Sequence, residues 1–273
     1  MTVLNTIIFY DNYLEVEQFC RDVFAIDKEQ ELYISIAINK MTDEADYQRL
    51  VDLTKVLNRI SIYRPEQNLG YMNGMIYAYE CFVDEKKIDP DYVIMSNTDI
   101  IYQDPEFFNT LRNTEYPADL GAIGPSVFAK KRNSYDNPVC LQRRSKAQVK
   151  KVIRFTSIPV IRSLYVFLSD FKARLFASKK EPESTFAYEL HGCFFIVTKR
   201  LAKELVKHKF GMLLYSEESY IAEEALKHHL AVYYDANLKI IHNEHSVTGH
   251  IKYSKIAKYI SSSMQYILDT YYD

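Results

Sequence analysis

The chain has 273 residues, 48% hydrophobic and 26% charged, with a formal net charge of −2; this is the composition of a soluble globular protein whose core needs neither disulfides nor a structural metal. Its four cysteines, Cys20, Cys81, Cys140 and Cys193, stand far apart with no C-x-x-C pair, which argues against a zinc site and a disulfide scaffold and fits a reducing cytosol. No basic leader precedes the first apolar segment and no apolar run is long enough for a bilayer, so neither a secreted precursor nor a membrane-spanning chain is expected.

Val3 to Tyr10 predicts a buried first strand that stops at Asp11-Asn12. Apolar positions at Leu14, Val16, Phe19, Cys20 and Val23 follow at near-helical spacing. Leu32 to Ile38 alternates as a second strand ending at Asn39-Lys40, and a helix over Tyr47 to Leu57 leads to a short strand, Ile60 to Tyr63. Asn68-Leu69-Gly70-Tyr71-Met72-Asn73-Gly74-Met75 then places two glycines four apart at a junction with a helix over Ile76 to Val83. Such a junction lets backbone approach a ligand, and a helix N-terminus favours anions. It is neither a P-loop nor G-x-G-x-x-G.

Tyr92 to Met95 is the most telling strand, because it breaks into Ser96-Asn97-Thr98-Asp99 before Ile100-Ile101 turns apolar again. In an open α/β sheet ligands bind beyond the carboxyl ends of the strands. Asp99 there would offer a hard carboxylate to a divalent cation holding a phosphate, with Asn97 two residues away; a plain strand-ending turn favours the same residue types. Asp104-Pro105 predicts the start of a helix over Glu106 to Arg112. Strand and helix thus alternate four times, the pattern of an α/β fold with a mostly parallel central sheet flanked by helices.

Beyond Pro117, Leu120 to Pro125 is expected as a short strand or turn, Tyr188 to Val197 as one strand, and Leu201 to His208 and Ser219 to His229 as helices. Val232 to Tyr234 and Leu238 to Ile241 are strand-like, a polar run covers His242 to Gly249, and a helix over Ile251 to Tyr272 closes the chain. Charge is distributed unevenly: residues 143–180 carry eleven Lys/Arg and one acid, Asp170, for a charge of +10, leaving −12 elsewhere. Within that stretch Leu164, Phe167, Leu168, Phe171 and Leu175 recur at helical spacing among Arg162, Lys172, Arg174, Lys179 and Lys180. A basic helix with such a stripe can lie in the headgroups of an anionic membrane, or it can pack on the domain with its lysines in water. No nucleic-acid recognition motif accompanies the charge.

The order of these segments resembles the family 2 glycosyltransferases of GT-A fold, particularly the single-domain kind that builds bacterial surface polysaccharides. Asn68–Met75 is similar to that family's N-x-G-x-x-x-G segment, Ser96–Ile100 to its N/D-x-D metal motif, and Leu190–Val197 to its glycine-centred acceptor strand. Tyr215–Ser219 is similar to its acidic pair, and Ile240–Ser246 to its late histidine segment. The resemblance implies a nucleotide-sugar-binding half over 1–117 and an acceptor half over 118–250 with the basic insertion 143–180, followed by a C-terminal helix, 251–273. It implies donor contacts from Tyr10, Asn39, Asn68, Gly70, Asn73 and Asn97, Mg²⁺ or Mn²⁺ on Asp99 and His242, and acceptor contacts from His191 and Gly192. Glu218 is implied as the base, with Glu217 beside it. The implied activity is inverting transfer of one sugar to a glycan acceptor, lipid-linked and met at the inner face of the membrane.

Two departures bear on this. Asn39 stands where many relatives have an aspartate that reads uracil, and Glu217-Glu218 replaces a Glu-Asp pair. Neither a Q-x-x-R-W motif nor a membrane span is present, which speaks against a processive synthase. The rival readings are a nucleotidyltransferase, for which Tyr10-Asp11-Asn12-Tyr13 offers no glycine- and lysine-rich loop, and a non-catalytic sugar-nucleotide-binding or scaffold protein, against which Asp99 together with Glu218 speaks.

Overall fold

The computed structural model describes residues 1–175, 178–244 and 252–272. The side chains of Arg174 and Leu175, and residues 245–251, lie outside the described set, so the end of the late histidine segment and the expected boundary near 250 are left aside.

The four expected leading strands form as β1 (Val3–Tyr10), β2 (Leu32–Lys40), β3 (Ile60–Tyr63) and β4 (Tyr92–Ser96), linked by α1 (Tyr13–Ile26), α2 (Glu44–Val56) and α3 (Tyr71–Lys86). They pair in parallel in the order β3-β2-β1-β4. Their near-continuous apolar sequence follows from burial on both faces. In β1, Val3, Ile7 and Phe9 pack with Phe19 of α1 and Leu50 of α2, while Leu4 packs with Met72 and Met75 of α3. Period-two alternation thus feeds two cores, one on each face of the sheet.

The second half does not form a separate sheet. After β5 (Ile100–Tyr102) and α4 (Phe107–Asn113), the chain forms β6 (Leu120–Ala129), β7 (Ser134–Tyr135), α5 (Lys146–Ser157), α6 (Arg162–Leu175), β8 (Thr185–Ala187), β9 (Phe194–Thr198), α7 (Lys199–Lys207), α8 (Glu217–Lys227), β10 (Ala231–His242) and α9 (Tyr253–Tyr271). Strand β9 inserts antiparallel between β4 and β6, and β10 extends the sheet in parallel beside β6. Six strands, β1 to β4 with β6 and β10, run one way, so the sheet is mostly parallel.

Three expectations about elements change. Leu120 to Pro125 extends to the ten-residue β6, because Pro125, which has no N–H to donate, falls where the β10 ladder shifts register between Asp235 and Lys239. The segments Val232–Tyr234 and Leu238–Ile241 are one strand, β10, carrying that irregularity. Tyr188 to Val197 is not one strand: β8 pairs with β10, the chain turns through Gly192 with Phe194 N–H donating to His191 O at 3.3 Å, and only then does β9 enter the sheet. The basic stretch forms two helices. Its α5, opened by a Ser145/Gln148 capping box, packs with α6 and both pack on α9.

Candidate active site

Parallel pairing brings the carboxyl ends of β1, β2 and β4 to one edge of the sheet, and a cleft of about 290 Å³ opens there. Tyr10, Asn39, Asn68, Gly70, Asn97 and Asp99 line it. Six of the residues expected at the site are therefore drawn together from four separate segments. Asn73 is not among them. α3 begins at Tyr71, so Asn73 falls on the helix face away from the cleft and its amide donates to Phe210 O at 2.6 Å.

The loop after β3 is held in place by backbone bonds. Gly70 has φ of +82° and caps α3 while a Cβ there would lie 2.3 Å from Leu213 O, so both the turn and the close approach require glycine. Asn68 Oδ1 accepts from Gly70 N at 2.8 Å. Asn39 donates to Gly70 O at 2.7 Å and accepts from Leu69 N at 3.3 Å, so its amide braces the loop at the cleft wall. An aspartate could not donate the first of these bonds. On the β1 side, Asp11 pairs with Lys40 at 2.5 Å and accepts from Thr42 N–H, and these contacts hold its carboxyl below the ordinary range.

Asp99 and His242 meet because of strand direction. β5 runs antiparallel to β10 with Ile100 opposite His242, which sets the preceding Asp99 beside the imidazole; Asn243 N–H then donates to Asp99 O at 3.0 Å. His242 Nε2 lies 3.4 Å from Asp99 Oδ1, both side chains are buried, and neither ring nitrogen of His242 makes a hydrogen bond among the described residues. A buried imidazole with both nitrogens unspent, beside a carboxylate, is a donor set that fits a divalent cation. His191 packs behind it with ring centroids 5.8 Å apart. Burial, then His242, drives the His191 pKa down to about 3, so it stays neutral. Its Nδ1 accepts from Cys193 N–H at 3.3 Å. The Cys193 thiol reaches the same neighbourhood, but burial pushes its pKa well up and keeps it protonated.

The acidic pair opens α8 after two consecutive non-glycine residues of positive φ, Tyr215 (70°) and Ser216 (67°). Such conformations persist only where the surroundings hold them; here Glu217 Oε1 accepts from Tyr215 N at 2.8 Å and Ser216 Oγ meets Ser263 Oγ of α9 at 2.9 Å. Glu217 is therefore spent on its own turn. Glu218 instead reaches the β9 turn: a Cβ on Gly192 would lie 2.5 Å from Glu218 Oε1. Burial raises both carboxyls, and the charge of Glu218 raises Glu217 further. Tyr71, on the cleft wall, donates its hydroxyl to Gly192 O at 2.9 Å and so ties the cleft wall to the turn that Glu218 reaches. Glu218, Gly192, His191 and His242 do not line the cleft themselves; Gly192, with Glu218 beside it, adjoins Tyr71 of the lining, and His242, with His191 beside it, adjoins Asp99.

Sequence reading missed two groups. Lys255 and Tyr259 of α9 line the cleft, with Leu213 and Leu214. Only α9's return across the site puts Lys255 there, and no local pattern marks it. Glu15 of α1 accepts from Asn12 at 3.0 Å and bonds Thr98, tying the β4 loop to α1. The missed signal was the polar Thr98 inside the singled-out loop.

No family model matches the sequence, and no curated protein matches it. Solved structures do share its fold. GalNAc-T7, solved with UDP, GalNAc and Mn²⁺, superposes with a TM-score of 0.57 over 89% of this chain at 11% identity, and this chain spans 44% of that one. The mannosyltransferase PcManGT from Pyrobaculum calidifontis, in complex with GDP-Man and Mn²⁺, gives 0.55 over 98% of this chain and 74% of its own at 10% identity. At these identities the likeness is one of fold: the α/β arrangement of GT-A glycosyltransferases.

Proposed function

We propose that the chain is a nucleotide-sugar-dependent glycosyltransferase of family 2 type, moving one sugar with inversion to a glycan acceptor in cell-surface polysaccharide synthesis. The observation that carries this reading is the convergence of His242 on Asp99, 3.4 Å apart, where Asp99 lines a cleft on the carboxyl edge of the sheet. The two fold neighbours were solved with nucleotide or nucleotide-sugar and Mn²⁺, which supports the same use of this edge. Asp99 and His242 would hold the cation, and the imidazole favours Mn²⁺ over Mg²⁺. When bound, the cation neutralises charge on the leaving diphosphate as a Lewis acid.

The chain's own groups do the rest. Lys255 faces the cleft and opposes diphosphate charge; Tyr10, Asn68 and Asn97 line the space for the donor, and Asn39 and Gly70 hold its wall. Glu218, beside Gly192, removes the acceptor hydroxyl's proton while that oxygen bonds to the anomeric carbon and the carbon–phosphate oxygen bond breaks. One displacement with no enzyme nucleophile inverts the anomeric centre. His191, held neutral by burial, offers the acceptor a hydrogen-bonding edge without charge.

A lipid-linked acceptor accords with the surface of α6. Leu164, Phe167, Leu168 and Phe171 are each about half exposed (56, 47, 52 and 50%), and Lys150, Lys151 and Arg154 of the packed helix α5 and Lys172 of α6 are exposed as well. No helix among the described residues is long and apolar enough to cross a membrane; the enzyme would meet the inner leaflet peripherally, through this face.

The test is calorimetry with nucleoside diphosphates and Mn²⁺ alongside transfer assays on a panel of nucleotide-sugars. Asp99→Ala is expected to lose metal-dependent binding while the melting temperature moves by no more than a few degrees, the range of about 1 kcal/mol. Unchanged metal-dependent binding by the variant removes Asp99 from the site. Nucleotide-sugar binding without transfer or hydrolysis would favour a non-catalytic binder.

A further inference from the structure

Helices α7 and α8 end on the same five-residue pattern. Glu204-Leu205-Val206-Lys207-His208 closes α7, and Glu224-Ala225-Leu226-Lys227-His228 closes α8. Glutamate and histidine four apart share one helix face, and the two helices pack together. The result is a cluster of two imidazoles and two carboxylates at the opposite end of α8 from Glu218.

The atoms are disposed in a particular way. In each helix the lysine takes one carboxylate oxygen: Lys207 Nζ lies 2.8 Å from Glu204 Oε1, and Lys227 Nζ 3.3 Å from Glu224 Oε1, which also accepts from Tyr271 at 2.7 Å. The other oxygens face the histidines. Glu224 Oε2 lies 3.5 Å from His208 Nδ1 and 3.5 Å from His228 Nε2, and Glu204 Oε2 lies 3.7 Å from His228 Nε2. Ligand atoms of Glu204, His208 and His228 all fall within 4.8 Å of one another. Zinc–nitrogen and zinc–oxygen bonds of about 2.0–2.1 Å in a tetrahedron put neighbouring ligand atoms roughly 3.4 Å apart. The observed separations approach that spacing without any movement of backbone.

A second observation points the same way. Glu224 has no exposed surface, yet its Oε2 makes no hydrogen bond among the described residues, and neither does His228 Nε2. A buried carboxylate oxygen left unsatisfied is costly, and so is a buried imidazole nitrogen facing it. A cation between them would satisfy both. His208 is exposed and gives the ion a way in. Cysteine spacing, which argues against a thiolate site, does not bear on an imidazole–carboxylate one.

We propose that Glu204, His208, Glu224 and His228 form a binding site for a divalent transition metal of the zinc type, clamping the carboxyl ends of α7 and α8 independently of the donor site. Direct pairing of the histidines with the same carboxylates is the competing arrangement, and the test separates the two. Calorimetry with Zn²⁺ alone, and visible absorption with Co²⁺, are run on the full chain carrying Asp99→Ala and His242→Ala, which removes the donor-site pair. One equivalent of Zn²⁺ and a tetrahedral Co²⁺ spectrum are expected to remain. Adding His208→Ala, an exposed position whose loss spares the fold, should weaken Zn²⁺ binding more than about tenfold, the loss that follows removal of even an outer partner, and should erase the Co²⁺ bands. Absence of Zn²⁺ binding in the first variant, or equal binding in the two, overturns the proposal.

Discussion

Glu217 and Glu218 are neighbours in sequence with opposite geometric assignments. Glu217 closes onto Tyr215 N–H, and Glu218 points at Gly192. If Glu218 is the base, Glu218→Gln should keep nucleoside diphosphate binding and lose about 10²–10⁴-fold in transfer rate, while Glu217→Gln loses far less. The reverse order would reassign the pair. Their shared burial also sets a pH dependence. A carboxyl whose folded pKa lies above the ordinary 4.5, as burial makes that of Glu217 at about 8, binds more protons folded than unfolded between those values. Stability therefore falls as pH rises through that window, and the penalty is fully developed above it. Urea midpoints measured at about pH 5 and about pH 8.5 should show this fall in the parent, and Glu217→Gln should remove much of it. The glutamine keeps the acceptor for Tyr215 N–H but carries no charge to bury. A pH-independent midpoint in the parent would mean the pair is not enclosed in solution.

At the scale of elements, the site is a set of strand ends, and its legibility in the sequence follows from that. β1, β2 and β4 were readable because burial on both faces writes a continuous apolar run with a polar stop. Asp99 stood out at one such stop. Its contact with His242 was not readable from local pattern, because it depends on β10 threading beside β6 and pairing antiparallel with β5, a matter of topology across most of the chain. Asn73 lies outside the cleft lining for the opposite reason: its spacing within the Gly70 segment is regular, but the helix starts at Tyr71 and its amide bonds Phe210 O. Lys255 left no local signal at all. The turn before β9 allows a sharp test of how elements meet. Gly192 has no positive φ, so alanine there meets a close contact and not a strained backbone. The added methyl must displace the Glu218 carboxylate, 2.5 Å away. Gly192→Ala is expected to retain nucleoside diphosphate affinity, since Gly192 is not among the cleft's lining residues, and to lower the transfer rate. A loss of nucleotide binding with transfer rate unchanged would place the donor, not the acceptor, at this turn.

Over the whole molecule, the charge division of +10 in 143–180 against −12 elsewhere becomes a geometric one. α5 and α6 pack on α9, and α9 also carries Lys255 and Tyr259 into the cleft, so the basic helices and the cleft share one helix. Packing on the domain takes up part of this stretch and leaves part of it exposed. Val149, Val166 and Thr156 are buried against neighbours, whereas Leu164, Phe167, Leu168 and Phe171 remain about half exposed. Packing on the domain does not consume the stripe. Each basic residue near an anionic surface contributes roughly 1 kcal/mol, so if α6 meets such a surface, Lys150, Lys151, Arg154 and Lys172 together with the four apolar side chains would hold the chain there reversibly. Vesicle co-sedimentation decides the matter. Binding is expected to anionic and not to neutral vesicles, to weaken as salt screens the charge, and to be lost on charge reversal of Lys150, Lys151, Arg154 and Lys172. Replacing Leu168 and Phe171 with serine should weaken it at all salt concentrations, because that contribution is apolar. Transfer to a soluble acceptor analogue should be unaffected in both variants, since neither set reaches the cleft. Absence of binding to anionic vesicles at low salt would leave α6 without a membrane role and return the exposed stripe to the class of protein contacts.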